Sequence, residues 1–139
     1  MFEIDPAFPA TSQAVGDLAL SHVRLQGDAR FPWIVLIPRI AAARELEDLQ
    51  AGERDVLIEE VLRAGAAVRA VAEALGRPAS KLNVAQLGNV TPQLHVHVIA
   101  RRPDDAAWPA PVWGFGVAEA YTPTALETAL AAARTTLGL

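Results

Sequence analysis

The chain has 139 residues, of which 52% are hydrophobic and 20% charged, and this composition excludes an intrinsically disordered protein. The 16 acidic and 12 basic residues give a formal net charge of −4, so we do not expect the broad basic surface that binds duplex DNA or RNA. The cysteine count is 0, which excludes disulfides and thiolate metal sites.

Nothing in the sequence indicates a membrane span or a secretory signal. No stretch approaches the roughly 18 apolar residues that a membrane span needs, and the N-terminal segment MFEIDPAFPATSQ has no basic residue to begin a signal peptide. We therefore expect a soluble cytoplasmic protein without a membrane partner. A single domain is expected over residues 1–139, with a motif region at 81–101 and a C-terminal loop and helix at 103–139.

The first part of the chain predicts a β-hairpin after an irregular lead-in. Residues 1–16 contain two prolines and a glycine and are expected to form this lead-in. Strand character then runs over residues 17–25, and a Gly-Asp turn separates it from the apolar run WIVLI at residues 33–37. Because the second strand is apolar on both faces, we expect it to lie inside the sheet and to be covered.

The remaining chain predicts a long helix, two strands, a loop and a last helix. Apolar residues at helical spacing predict the long helix over residues 53–75. Strands are expected over residues 81–87 and 93–101, and the proline-rich residues 103–116 are expected to form a loop. The last helix is predicted from Thr122, as its N-cap, toward Gly138.

The strand predicted over residues 93–101 carries two of the 3 histidines. Side chains alternate faces along a strand, so Gln93, His95 and His97 point one way, and the apolar residues between them point toward a core. Three chemistries fit such a pair, namely metal binding, acid–base catalysis and nucleophilic attack on an electrophile such as phosphorus. A metal site usually needs three or four protein ligands, and no further ligand stands at a diagnostic spacing. Two surface histidines on a half-exposed strand would give the same pattern.

The segment and its context resemble the histidine triad (HIT) superfamily of nucleotidyl hydrolases and transferases. The family signature is His-x-His-x-His followed by two hydrophobic residues, with hydrophobic residues at x, and QLHVHVI at residues 93–99 matches it at all but the first position. The strand ending in Pro38-Arg39, the run Lys81-Leu82-Asn83 and the tail Arg101 to Trp108-Pro109 follow the family order. The resemblance covers residues 15–116. It implies an α+β, HIT-like fold, with a mainly antiparallel sheet of about five strands and helices packed on one face.

The resemblance implies a nucleotide hydrolase or nucleotidyltransferase. In this family the middle histidine attacks the α-phosphorus of a nucleotide, and water or another acceptor then releases the covalent nucleotidyl-histidine. By motif position that nucleophile is His95, while His97 is expected to bond phosphate or leaving-group oxygens and to help move a proton. The expected substrate is a nucleoside phosphoanhydride or phosphoramidate, such as a dinucleoside polyphosphate, and no metal or other cofactor is required. The family also suggests a homodimer built through the long helix and adjoining strands.

Five further residues are candidate substrate-binding residues. Asn83 matches the family's asparagine, which is expected to bind phosphate oxygen or to order the loop. Asn89 and Thr91 lie in the turn before the motif, where backbone N–H groups near them can bind negative charge. Arg101 reaches the phosphate side if the strand persists, and Trp108 either packs on the body or lines a base pocket or dimer contact.

The glutamine at the first motif position leaves more than one interpretation open. A glutamine donates and accepts hydrogen bonds but cannot titrate, so in an active enzyme Gln93 would orient His95 or contact phosphate. The same substitution is compatible with a nucleotide-binding or partner-binding module with little turnover. The third interpretation is a metal-dependent enzyme, which chelation would inactivate.

Overall fold

Five antiparallel strands form one sheet in the computed structural model, which describes residues 1–139. The spatial order is β1-β2-β3-β5-β4, with β1 (Ser12–Asp17), β2 (Ser21–Gln26), β3 (Trp33–Pro38), β4 (Lys81–Gln86) and β5 (Val96–Arg101). The helices are α1 (Ala7–Thr11), α2 (Ala51–Ala74) and α3 (Pro123–Leu137), and a single 3₁₀ turn spans Leu46–Asp48. The predicted α+β fold with a five-stranded antiparallel sheet is confirmed.

The central strand β3 separates two apolar clusters. All six of its residues are buried, which confirms that it lies inside the sheet and is covered. Ile34 and Leu36 face the main core beneath α2 and α3, while Val35 and Ile37 face a smaller cluster that includes Phe8 of α1. Side chains alternate faces along a strand, so a continuous apolar run is what a strand covered on both sides requires.

The N-terminal part departs from the prediction. The expected lead-in contains α1 and the edge strand β1. The strand expected over residues 17–25 is confirmed only from Ser21 onward, where it pairs with β3 as predicted, because the chain turns at residues 18–20. The carboxylate of Glu60 on α2 accepts hydrogen bonds from the N–H groups of Leu20 (2.7 Å) and Ser21 (3.0 Å). The N–H of Leu18 also donates to the carbonyl of Ser21 at 2.9 Å. These bonds close the β1–β2 turn, so one further strand precedes the predicted hairpin of β2 and β3.

Helices α2 and α3 and the C-terminal loop follow the prediction closely. Helix α2 lies within two residues of the expected span, and the predicted loop at 103–116 contains no helix or strand. In α3 the hydroxyl of Thr122 accepts from the N–H of Ala125 at 3.2 Å, and Gly138 ends the helix with a φ of 74°. No helix combines the length and hydropathy that crossing a membrane requires.

Strand β5 begins three residues later than predicted. Residues 93–95 precede the hydrogen-bonded ladder, whose first pair here joins Val96 to Leu36. The N–H of Leu94 donates instead to the carbonyl of Ala43 at 3.0 Å, in the loop that follows β3. The histidine segment therefore enters the sheet from an irregular stretch that bonds to that loop.

Candidate active site

The two motif histidines lie side by side on the sheet face opposite α2 and α3. Their ring centroids are 4.8 Å apart and the ring planes meet at 76°, while His95 is 5% and His97 8% exposed. Leu94 and Val96 point the other way, into the main core. The alternation continues through residue 95 although the ladder does not, so the structure brings both imidazoles to one place.

The Nδ1 atom of His95 lies 2.6 Å from the backbone carbonyl oxygen of Gln93. A carbonyl oxygen only accepts hydrogen bonds, so this contact assigns the ring proton to Nδ1. The Nε2 atom of His95 therefore carries an unshared electron pair. A neutral imidazole in this tautomer is ready to act as a nucleophile or a base through Nε2.

His97 is held in the opposite tautomer. The indole N–H of Trp33 lies 2.9 Å from Nδ1 of His97, and an indole nitrogen only donates hydrogen bonds. Nδ1 must then accept, which leaves the ring proton on Nε2. The pair consequently offers one electron pair, from His95, and one N–H donor, from His97.

Both histidines are held neutral. Burial lowers the pKa of His95 below its usual 6.5, although the bond to the Gln93 carbonyl opposes this effect. Burial, and then the proximity of His95, lowers the pKa of His97 to about 3. No positive charge therefore develops on the pair near neutral pH, and the nucleophilic form of His95 predominates.

A cleft of about 310 Å³ opens above the two rings. None of its lining residues is charged, and they are Leu87, Gly88, Asn89, Val90, Thr91, His95, His97 and Trp113. Residues 88–91 line the cleft, and none of their four N–H groups makes a hydrogen bond within the chain. Unpaired backbone donors beside a cavity can bind a small anion or a developing negative charge.

Aromatic side chains from distant parts of the sequence enclose the histidines. Phe8 of α1 packs edge-on against His95 at 4.9 Å, and Trp113 packs against His97 at 5.1 Å. These rings, with Trp33, also border a second hollow of about 160 Å³ beside the cleft. The sequence analysis offered a base pocket as one role of Trp108 in the same loop, whereas Phe8 carried no signal because α1 was not predicted.

The structure does not bring Asn83, Arg101 or Trp108 to the cleft. Arg101 is 1% exposed, and its guanidinium bonds the carboxylate of Asp105 (2.7 Å) and the amide oxygen of Asn83 (2.7 Å). The Trp108 ring lies 5.6 Å from the same guanidinium. Four residues of a strand, about 13 Å, separate Arg101 from His97. These contacts hold the loop after β5 against the end of the sheet that lies away from the histidines.

Gln93 faces the N-terminal residues. Its side-chain amide donates to the carbonyl of Glu3 at 2.7 Å and accepts from the N–H of Asp5 at 2.8 Å. The amide is absent from the residues that line the cleft. Of the predicted site residues, His95, His97, Asn89 and Thr91 thus share the cleft, and Gln93 lies behind it. No group of three or more His, Cys, Asp or Glu side chains could hold a metal ion.

The chain is similar to known proteins along most of its length. The model of the HIT domain family matches residues 8–104. A solved histidine triad protein from Bradyrhizobium japonicum is 39% identical, with 98% of each chain covered and a TM-score of 0.89. Another from Sinorhizobium meliloti is 37% identical, with 97% of this chain and 96% of that chain covered and a TM-score of 0.88. A third, from Marinobacter aquaeolei, is 33% identical over 99% of this chain and 97% of that chain, with a TM-score of 0.87. No curated protein matches significantly.

Proposed function

Because the chain belongs to the HIT domain family, we propose that it is a nucleotide hydrolase or nucleotidyltransferase whose nucleophile is His95. The single observation that carries the proposal is the complementary pair of imidazoles. An electron pair on Nε2 of His95 and an N–H on Nε2 of His97 lie in adjacent rings at the floor of one open cleft. A phosphoryl group has a phosphorus atom that accepts an electron pair and oxygens that carry negative charge. Attack on it therefore needs both a nucleophile and a hydrogen-bond donor, which His95 and His97 offer.

The reaction proceeds in two displacements at the α-phosphorus. The electron pair on Nε2 of His95 forms a P–N bond, and the bond from phosphorus to the leaving group breaks with its electron pair. A phosphoanhydride leaving group departs as an oxyanion, and the leaving nitrogen of a phosphoramidate takes a proton from solvent and departs as an amine. His97 donates its Nε2–H to the negative charge that develops on oxygen. Water then attacks the same phosphorus, the P–N bond breaks, the electron pair returns to His95 and the water's proton passes to solvent. A different acceptor in place of water makes the same protein a transferase.

Neutral donors stabilise the phosphoryl charge. The cleft lining contains no charged side chain, so the candidates are the free N–H groups of residues 88–91 and the side chains of Asn89 and Thr91. Fixed dipoles in a partly water-excluded site act more strongly than they would in water. The substrate is a nucleoside phosphoanhydride or phosphoramidate. We assign no substrate contact to Asn83, Arg101 or Trp108, because these side chains contact one another at the end of β5 away from the cleft.

A labelling experiment with matched histidine variants tests the proposal. We expect the purified protein to hydrolyse at least one member of a panel of nucleoside phosphoramidates and dinucleoside polyphosphates, and an α-phosphate label to be trapped on His95. His95→Ala should lose activity by about 100-fold or more, while His22→Ala, which alters a β2 histidine outside the cleft, should stay active.

The outcomes separate the three interpretations. Full hydrolysis by His95→Ala would overturn the assignment of the nucleophile. Nucleotide-dependent thermal stabilisation without product would identify the alternative, a binding module with little turnover. Loss of activity on chelation would identify a metal-dependent enzyme, whereas the proposed mechanism survives chelation.

The active form is proposed to be a homodimer. Ile58 and Leu62 of α2 are 60% and 63% exposed, and Val84 on the edge strand β4 is 52% exposed. Ile58 and Leu62 stand one helical turn apart and therefore share a face. These three residues, here called the α2 patch, are the apolar surface on which a second copy of the chain would pack.

A further inference from the structure

We propose that Gln93 is a positioning residue that anchors the N-terminal segment, residues 2–11, as one wall of the hollow beside the cleft, which shares His95 and His97 with it. The identity of the ligand rests on the proposed function, whereas the anchoring stands on contacts within the free protein. In this assignment the first position of the motif acts through the segment that it holds, and the chemistry is left to His95 and His97.

The side-chain amide of Gln93 is fully directed at the backbone of the segment. Its Nε2–H donates to the carbonyl of Glu3 at 2.7 Å, and its Oε1 accepts from the N–H of Asp5 at 2.8 Å. The two partners flank Ile4, so the amide pairs with the segment as one more residue of a neighbouring strand would. Since a carbonyl only accepts and a backbone N–H only donates, the orientation of the amide is fixed by these partners.

The anchored segment reaches the reacting histidine. Beyond Asp5 the chain enters α1, where Phe8 is 8% exposed and packs edge-on against the His95 ring at 4.9 Å. Ala7, Phe8 and Thr11 line the hollow of about 160 Å³ that also borders both motif histidines. The segment therefore supplies the wall on the His95 side, opposite Trp113, and limits the space left for a planar base.

Gln93 divides its two roles between backbone and side chain. Its carbonyl oxygen fixes the tautomer of His95, which any residue at this position could do. Its amide holds the segment, which requires a donor and an acceptor at the end of a side chain of this length. One N–H and the oxygen of the amide bond the segment, and Gln93 does not line the cleft, so we assign the amide no contact with a phosphate oxygen.

Two variants are designed to release the segment, one by changing Gln93 and the other by changing the backbone that Gln93 binds. Gln93→Ala removes the amide, and Asp5→Pro removes the N–H that the amide binds. Asp5→Ala is the matched control, because it loses the same carboxylate, which bonds the N–H of Ala7 at 2.9 Å, but keeps its own N–H. Gln86→Ala is the control for loss of a glutamine, since its amide bonds only the adjacent carbonyl of Leu87 at 3.1 Å.

The first readout is made on the ligand-free full chain. We expect amide hydrogen exchange across residues 2–11 to accelerate about tenfold in Gln93→Ala and in Asp5→Pro, and to change little in both controls. The pKa of His95, measured by NMR titration, should rise in the same two variants, because release of Phe8 exposes the His95 ring to water. The neighbouring charged or titratable group, His97, is unchanged in these variants. Unchanged exchange and titration would refute the anchoring.

The second readout is the steady-state kinetics of the best nucleotide substrate. Release of a wall should raise KM about fivefold and lower kcat by no more than about threefold. The double variant Gln93→Ala/Asp5→Pro should be no worse than Gln93→Ala, because Gln93→Ala already removes both hydrogen bonds, including the one that Asp5→Pro removes. A loss in kcat of about 100-fold with KM unchanged would instead make Gln93 a participant in the chemistry. A parent protein that neither hydrolyses nor binds nucleotides refutes the proposed function, while the exchange data still decide the anchoring.

Discussion

Two identical side chains become chemically different through the partners of their Nδ1 atoms. A carbonyl oxygen faces Nδ1 of His95, and the Trp33 indole N–H faces Nδ1 of His97. The first partner leaves an electron pair on Nε2 and the second leaves a proton there. The division of labour between the two rings is therefore set by backbone and by an aromatic residue from another strand.

The lowered pKa of His97 predicts how the stability of the protein responds to acid. Burial, with the nearby His95 as a smaller cause, lowers the pKa of His97 to about 3, whereas an imidazole in the unfolded chain has a pKa of about 6.5. The unfolded state therefore binds the proton first. The free energy of unfolding is greatest above pH 6.5 and falls as the pH drops from 6.5 toward 3, by up to about 1.4 kcal/mol per pH unit for this proton.

Two tryptophan variants test whether Trp33 contributes to this effect. Trp33→Phe removes the donor to Nδ1, so His97 can take up a proton more easily in the folded state and stability should fall less steeply with acid. Trp113→Phe removes a ring packed on the same imidazole at 5.1 Å that donates no hydrogen bond to it, and should keep the steeper slope. Urea unfolding between pH 7 and about pH 5.5, above the range in which most carboxylates titrate, measures both slopes. Equal slopes in the two variants would exclude a role for the indole N–H.

The histidine pair could be predicted from the sequence, but most of its surroundings could not. Alternation along a strand is a local rule, and it places His95 and His97 on one face without knowledge of the rest of the fold. Trp33 and His97 are 64 positions apart, and Asp5 and Gln93 are 88 apart. Contacts of this kind depend on which strands become neighbours in the sheet, and no local pattern in the sequence reports that order.

At the scale of secondary-structure elements, the prediction succeeds where apolar residues recur at a regular spacing. It fails where a residue far away in the sequence determines the position of a turn. The apolar period of α2 and the continuous apolar run of β3 are strong local signals, and both elements form as predicted. Strand β1 is half exposed, contains a bulge between Ala14 and Gly16 and therefore shows no regular alternation. The turn before β2 was missed because the acceptor of its N–H groups, Glu60, lies 40 positions away.

The loop that receives the histidine segment contains a residue in an unfavourable backbone conformation. Ala42 has a φ of 61° and stands third in a four-residue turn closed by a 3.3 Å hydrogen bond from the N–H of Ala43 to the carbonyl of Ile40. Turns with positive φ at this position favour glycine. The next residue, Ala43, supplies the carbonyl that accepts from Leu94, so the turn helps to place the segment that carries His95.

Replacement of this residue by glycine should stabilise the protein. Ala42 is exposed, so Ala42→Gly loses no buried contact, and relief of the left-handed conformation should exceed the entropic cost of glycine by about 0.5–1 kcal/mol. Ala41→Gly, at the neighbouring exposed position without a positive φ, carries only the entropic cost and should be destabilising. Urea unfolding midpoints measure the difference, and a midpoint for Ala42→Gly at or below that of the parent would contradict the prediction.

At the scale of the whole molecule, α2 and the neighbouring edge strand expose large apolar side chains that do not contribute to the core. Ile58, Leu62 and Val84 of the α2 patch are each more than half exposed. Val84 lies on the same sheet face as Leu82, and a Cβ atom built on Gly65 of α2 would stand only 3.0 Å from the Leu82 side chain. The edge strand β4 thus approaches the helix α2 at Leu82 and Gly65, on the side of the sheet that carries Val84.

A charge placed in this surface should separate the two copies of the proposed dimer. An interface around a two-fold axis buries the same residue from both chains, so Leu62→Glu introduces two carboxylates that repel each other and resist burial. We expect the parent protein to sediment as a dimer and Leu62→Glu as a monomer that keeps the parent's circular dichroism spectrum. Leu46→Glu, at a residue that is 45% exposed in the 3₁₀ turn, should remain a dimer. A parent protein that sediments as a monomer at every concentration, or a Leu62→Glu variant that stays dimeric, would place the interface elsewhere or remove it.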